Sequence, residues 1–168
     1  MCGLSFSGKS TLAELLADAL DADLLSLDAI NAERGLDGGH GIPLEEWART
    51  NDLAQARATS AVEAGRAVVV DDTGSPRFIR DGWRKVAAES VTSFSIVWVQ
   101  IDTERQRERL LANRVAAGRH DVTDDVIAAH VASFEAPTDE NPLIVDADDT
   151  MNPETVAEIT RSIRQRAP

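Results

Sequence analysis

Apolar residues recur in two rhythms along the chain, and their alternation sets out the architecture. After Lys9, the residues Leu12, Leu15, Leu16, Ala19 and Leu20 mark one stripe of a helix. Leu24-Leu25-Ser26-Leu27 is a short apolar run ending at Asp28, which predicts a buried strand. Pro43 to Ala64 predicts a long helix, with proline near its start and Gly65 after its end. Ala67-Val68-Val69-Val70 is the clearest strand, closed by Asp71-Asp72-Thr73-Gly74. Pro76 to Glu89 predicts another helix, and Phe94 to Ile101 another strand. A helix over 103–117 follows, with Thr103 and Gln106 at capping-box spacing. Thr123 is placed to cap the next helix, with Val122 and Ile127 as its hydrophobic staple. Leu143-Ile144-Val145 predicts a last strand, and Asn152-Pro153 starts a terminal helix with Val156, Ile159 and Ile163 on one face.

Nearly all-apolar strands alternating with helices imply a mostly parallel sheet covered on both faces, an α/β three-layer sandwich. Such sheets bind ligands beyond the carboxyl ends of their strands. Asp28, Asp71 and Asp72 all fall at such ends. At 168 residues the chain is expected to form one domain over 1–168, with a small helical lid at about 103–135. Gly35 to Gly41, with four glycines, reads as a mobile loop before the helix that starts near Pro43.

The chain opens on Gly3-Leu4-Ser5-Phe6-Ser7-Gly8-Lys9-Ser10, which fits the G-x-x-x-x-G-K-[ST] phosphate loop. Its glycines let backbone N–H groups turn around phosphate oxygens at a helix N-terminus. Gly3, Ser5, Ser7, Gly8, Lys9, Ser10 and Thr11 are therefore expected to bind nucleotide, with Lys9 reaching the β- and γ-phosphates and Ser10 on Mg²⁺. Only Met1 and Cys2 precede the loop, so the strand that delivers a chain into such a loop is missing. The expectation is that residues are lacking ahead of Met1, since a vacant central slot would leave neighbouring ladder groups unpaired.

The remaining chemistry is read from position. Asp28, nineteen residues after Lys9, suits a general base for an acceptor hydroxyl. One of Asp71 and Asp72 is expected to serve the metal as a Walker B acid does, and Asp72 is assigned that role. Among Arg105, Arg107, Arg109, Arg114 and Arg119, most read as a solvated helix face. Arg114 and Arg119, at the helix end and in the following loop, are the candidate transition-state cations. His40, His120 and His130 have no metal-ligand spacing and read as surface or loop residues, with His40 near an acceptor. Trp47, Trp83 and Trp98 read as core anchors.

Net charge is −12, a surface field that disfavours polyanionic partners. The lone Cys2 excludes an internal disulfide and reads as a small buried residue of a cytoplasmic protein. No apolar stretch has the length of a membrane span.

The segments CGLSFSGKST, SLDAINAERGL, VVVDDTGSPRFIRDGW, RLLANRVAAGR and FEAPTDENPLIV give the chain, over nearly its whole length, a resemblance to P-loop kinases of the zeta-toxin and polynucleotide-kinase-like group. That group includes small kinases labelled as AAA-type ATP-binding proteins. The resemblance implies the P-loop NTPase fold, with Asp28 matching the proposed base of polynucleotide kinase and Asp72-Thr73-Gly74 matching an Asp-Thr-Asn that lines its site. Gly74 replaces the asparagine, and Asn31 stands where an acceptor-binding arginine is found, with Arg34 one turn on. Phe134-Glu135-Ala136-Pro137 is similar to a segment of seryl-tRNA kinase and its elongator-associated relatives. The expected activity is ATP- and Mg²⁺-dependent transfer of phosphate to a hydroxyl of a small molecule. Its alternatives are an RNA, tRNA or polynucleotide 5′-hydroxyl kinase and a nucleotide-dependent switch.

Overall fold

A computed structural model describes residues 1–36, 42–116 and 122–166. The elements run α1 (Lys9–Leu20), β1 (Ala22–Ser26), α2 (Leu27–Glu33), α3 (Leu44–Glu63), β2 (Ala67–Asp71), α4 (Arg77–Glu89), β3 (Val97–Gln100), α5 (Thr103–Ala116), α6 (Asp124–Ser133), β4 (Leu143–Asp146) and α7 (Pro153–Gln165). β1 pairs parallel to β2 with Leu24 opposite Val69, and β3 pairs parallel to β4 with Val99 opposite Val145.

Residues Met1 to Gly3 join the two pairs. The Met1 amino group donates to the Val70 carbonyl at 2.6 Å, and the Gly3 amide donates to the Thr73 carbonyl at 3.0 Å. On the other side, the Cys2 amide donates to the Val97 carbonyl at 2.8 Å and its carbonyl accepts from Val99 at 2.9 Å. The order across the sheet is therefore β1, β2, residues 1–3, β3, β4. Bonds to alternate sides are the pattern of a central parallel strand, here only three residues long.

The sheet's two faces follow from period two. Val69 points toward Leu12, Leu16 and Ile159 of α1 and α7, in one cluster with Val97, Val99 and Val145. Val68 and Val70 pack on the other cluster, with Leu27, Ile30, Ala54, Ala58 and Trp83. Thr50, Ala54, Ala58 and Ala61 form the buried stripe of α3, small residues that let the helix lie close to the sheet.

Most predicted elements are present, with four instructive departures. β1 ends at Ser26, and Leu27 and Asp28 already belong to α2, because the Ser26 hydroxyl caps that helix by accepting from the Ala29 amide at 3.3 Å. The cap of α5 is Asp102, which accepts from the Arg105 amide at 2.8 Å, not Thr103. Thr123 holds the N-cap position of α6, but its hydroxyl makes no capping bond. β3 is shorter than the apolar run from Phe94, since Phe94 to Ile96 have no strand beside them on the β2 side. Trp83 is buried as expected, whereas Trp47 and Trp98 are half-buried. Among the described residues, no helix is long and apolar enough to cross a membrane.

Candidate active site

The phosphate loop is shaped by backbone before any side chain takes part. Gly8, with φ 93°, precedes α1, and a Cβ there would stand 2.8 Å from the Thr150 Oγ1. Phe6 is also left-handed, with φ 65°, and its ring is buried. A bulky residue holds that conformation only where its surroundings fix it, which is common at ligand sites.

Those surroundings include α5. Gln106 Nε2 donates to the Ser5 carbonyl at 3.0 Å. The Arg109 guanidinium donates to the carbonyls of Phe6 at 3.2 Å and Ser7 at 3.0 Å. Its other terminal nitrogen donates to the Ala147 carbonyl at 2.8 Å and to Asp148 at 3.0 Å. Drawing these three carbonyls outward leaves the amide side of the loop for a ligand. The first turn of α1 has neither a capping side chain nor an acidic residue, so its leading amides have no intrahelical acceptor. An anion meets them with the helix dipole in its favour. Lys9 is half-buried on that turn, and Ser10 and Thr11 are exposed beside it.

β2 delivers the acidic pair to the same place. Ser26 stands opposite Asp71 in the sheet, so β1 and β2 end level and carry Asp28, Asp71 and Asp72 to one edge. Asp72 accepts from the Thr73 amide at 2.7 Å. Burial pushes its carboxyl up, against the Thr73 and Gly74 amides, the Met1 ammonium and the Lys9 cation. Lys9 and Asp72 are thus electrostatic neighbours. Asp71 Oδ1 is buried with no hydrogen-bond partner among the described residues. An acidic pair at a strand end, with one buried oxygen that has no partner among the described residues, suits a hard oxygen-seeking cation such as Mg²⁺. Among the described residues there is no cluster of three or more His, Cys, Asp or Glu that would hold a metal unaided.

Gly74 explains its own departure from the Asp-Thr-Asn pattern. Its φ is 59°, and a Cβ would lie 2.6 Å from the Met1 carbonyl oxygen. A side chain there would push the loop's entry away from β2, so glycine keeps the two segments in contact. The Cys2 thiol lies 3.6 Å from the Gly74 carbonyl and is fully buried, and burial pushes the thiol up. The segment after Gly74 is strapped down by the Phe134–Pro137 stretch. Glu135 accepts from the Arg77 amide at 2.6 Å at the start of α4, and its own amide donates to Ser75 at 2.9 Å. Arg80 donates to the carbonyls of Gly74 at 2.6 Å and Glu135 at 2.8 Å, and pairs with Glu140.

Other candidate residues are placed differently. Asp28 is exposed on the first turn of α2. Arg34 is committed to α3, donating to the Glu46 carbonyl at 2.8 Å and the Thr50 hydroxyl at 2.6 Å and pairing with the Glu46 carboxylate. Asn31 accepts from Thr50 in the same buried network. Arg114 donates to the Val122 carbonyl at 3.0 Å and to Asp124 at 2.8 Å, tying the end of α5 to the start of α6. Arg119, His40 and His120 lie outside the described residues.

His130 is a correction. It is not a plain surface residue but half-buried on α6, its Nδ1 3.3 Å from the Ser5 hydroxyl of the phosphate loop and its ring edge-on to Phe134. Burial and the Lys9 cation hold its imidazole below the usual histidine range. Gln106 and Arg109 were also not singled out as loop residues. Their spacing of three puts both on one helix face, which was a readable signal.

A sequence model of the family described as AAA domain matches residues 1–137. No curated protein is similar enough in sequence to match. Solved structures share the fold. Kti12 of Chaetomium thermophilum in complex with ADP-AlF3 has a TM-score of 0.74 at 18% identity, over 98% of this chain and 96% of that one. A gluconokinase from Sinorhizobium meliloti 1021 has a TM-score of 0.68 at 18% identity, over 98% and 93%. The APS kinase CysC of Mycobacterium tuberculosis in complex with AMPPNP and APS has a TM-score of 0.64 at 21% identity, over 98% and 92%.

Proposed function

The chain belongs to the AAA domain family and has the P-loop NTPase fold, and from that premise we propose that it is an ATP- and Mg²⁺-dependent kinase for a hydroxyl of a small molecule. The observation that carries this is the clamped phosphate loop. Its carbonyls are held by Gln106 and Arg109, and Lys9 at its end is an electrostatic neighbour of Asp72. Kinases recur among the structures of the same fold, among them a gluconokinase and an APS kinase.

In this reading the loop from Gly3 to Thr11, with Ser5, Ser7, Gly8, Lys9, Ser10 and Thr11, holds the triphosphate, while the Gly3 amide stays on the Thr73 carbonyl and fixes the entry of the loop. Ser10 and Asp72 hold Mg²⁺, which supplies charge neutralisation at the β- and γ-phosphates. Asp28 takes the acceptor's proton as the acceptor oxygen bonds to the γ-phosphorus. The bond from that phosphorus to the β–γ bridging oxygen breaks, and ADP leaves with the electron pair. Arg114 and Arg119 are the lid cations, and Arg114 would exchange Asp124 for phosphate on closure. The whole chain, 1–168, acts as one domain with its lid at about 103–135, and the setting is the cytoplasm.

The commitment of Arg34 to Glu46 favours this reading over a polynucleotide kinase, because the arginine that follows Asp28 in the sequence is occupied by the fold. The acidic surface points the same way. Screening hydroxyl-bearing metabolites and 5′-hydroxyl oligonucleotides for ATP-dependent phosphorylation tests it. A small-molecule product is expected, absent in Lys9→Ala. Asp28→Asn should retain ATP binding and lose about 10²–10⁴ in transfer rate. Phosphorylation of oligonucleotides alone would overturn the acceptor class, and full transfer by Asp28→Asn would remove the base.

A further inference from the structure

Helix α6 rests on the molecule by one narrow face. Ile127, His130 and Phe134, three and four residues apart, are half-buried, while the other residues from Asp124 to Ser133 are exposed. No residue of α6 is buried, and none belongs to either core cluster. Its start is tied to α5 by the Arg114–Asp124 pair, and its end runs into the Glu135 strap. Between those ties it meets the phosphate loop through His130, whose Nδ1 stands 3.3 Å from the Ser5 hydroxyl. The ring is set edge-on to Phe134 at 6.3 Å between centroids. A histidine that fills no core, yet is held against the loop, has a contact suited to chemistry more than to packing.

We propose that His130 is a further nucleotide-binding residue: its imidazole takes up a proton from solvent as phosphate binds the loop, and the resulting cation acts on the anion through the Ser5 hydroxyl. This rests on the loop's holding a nucleotide and not on the acceptor of the kinase reading.

Distance, charge and hydrogen bonding all lead to it. A phosphate oxygen accepting from the Ser5 hydroxyl lies within two hydrogen-bond lengths of Nδ1, about 6 Å. At that range an opposite charge favours the protonated ring, moving its titration by about 1–3 pH units. In the protein alone, burial and the Lys9 cation both keep the ring neutral. Other charges around this contact are engaged: Arg109 on the Phe6 and Ser7 carbonyls, Asp124 with Arg114, and Glu135 with the Arg77 amide. Gln106, on the Ser5 carbonyl, is neutral. Phosphate on Lys9 offsets that repulsion and adds an attraction. The polarity of the Ser5 contact matters as well. A bare Nδ1 accepts the Ser5 proton, whereas a protonated Nδ1 donates to the Ser5 oxygen and leaves its O–H for phosphate. Protonation therefore improves both the charge and the donor that the loop offers an anion.

Calorimetry of ADP without Mg²⁺, at pH 8, 7 and 6 and in buffers of unlike ionisation heat, tests this on the wild-type protein and His130→Gln. Comparing the two cancels the protonation of ADP itself. Near pH 6.5 the wild type should take up about half a proton more than the variant. From pH 8 to 6 it should tighten relative to the variant by up to about tenfold. Proton NMR on the wild type needs no variant to fold alike: the imidazole lost in His130→Gln should titrate about one pH unit or more higher with ADP than without. Equal pH dependence of the two proteins, or an imidazole titration that ADP leaves in place, would overturn the proposal. So would a lowered Tm in His130→Gln with unaltered proton uptake, which would make the residue a structural contact. Absence of ADP binding at every pH would overturn the nucleotide reading beneath it, and the proposal with it.

Discussion

The two ends of the central sheet are built to opposite standards. At the carboxyl end, the phosphate loop is held on its carbonyl side by Gln106 and Arg109, Gly74 is held by Arg80, and Glu135 straps the start of α4. At the amino end, a cavity of about 230 Å³ lies between β2 and β3, lined by Val68, Val70, Ile96 and Val97. The loop conformation is thus fixed laterally, from α5 and the residues after β4, as well as through the bonds of residues 1–3 to β2 and β3.

The comparison is broken most severely at the strap. Arg80 and Glu140 are 3% and 2% exposed, and a buried pair that loses one partner leaves an uncompensated charge. Glu140→Ala should cost about 3–5 kcal/mol in urea unfolding, far more than a surface pair such as Arg57–Glu33. The same pairing, opposed by burial, holds the Glu140 carboxyl down at about 2. Its folded pKa is depressed, so its contribution is complete above the ordinary carboxylate range. That contribution is lost as pH falls from about 4.5 toward 2, and Glu140→Gln should flatten that part of the acid-unfolding curve.

Next in size is the loop clamp. Arg109→Ala should weaken ADP binding about ten- to a hundredfold by calorimetry, the worth of one to two lost charge-assisted bonds to the loop. Tm should shift little, because Arg109 is not in the core clusters. A large fall in Tm with unchanged ADP affinity would mean that α5 holds the fold and not the loop. Smaller still is a repair of the amino end. Ala87 lines the cavity from α4, and Ala87→Val should stabilise by about 0.5–2 kcal/mol if the space is available, without altering nucleotide affinity.

The finest test concerns His130, which touches the loop hydroxyl of Ser5. Its imidazole is held below the usual range by burial and by Lys9. The unfolded chain therefore takes up a proton first, and stability falls as pH drops through the ordinary histidine range near 6.5. Thermal unfolding of His130→Gln should lose that small dependence between pH 7 and 5.

Much of this was legible along the chain, for reasons particular residues make plain. The helices starting at Lys9, Leu44, Arg77 and Pro153 were readable because periodic apolar positions and local caps or prolines act within a few residues. Asn152 accepting from Glu154 is one such cap. The boundary near Asp28 was misplaced because a serine one residue inside an apolar run can close a strand or open a helix. At Ser26 the helix prevails, by one bond to Ala29.

His130 was misjudged for a different reason. Its partner Ser5 is 125 residues away, and a lone histidine on a helix carries no sign of what it will meet. Arg34 likewise reads as an available cation until α3 folds across it.

The sequence by itself determined the phosphate loop, the alternation of strands and helices, and the acidic residues at strand ends, since each depends on conformational preferences or periodicities local to a few residues. Tertiary structure alone decided which side chains serve the loop. Gln106 and Arg109 are drawn onto its carbonyls, Arg34 is withdrawn into a helix pair, and Gly74 is required by the nearness of Met1. Those assignments depend on distances between segments remote in the chain, and only packing of the sheet and its two helical layers fixes them.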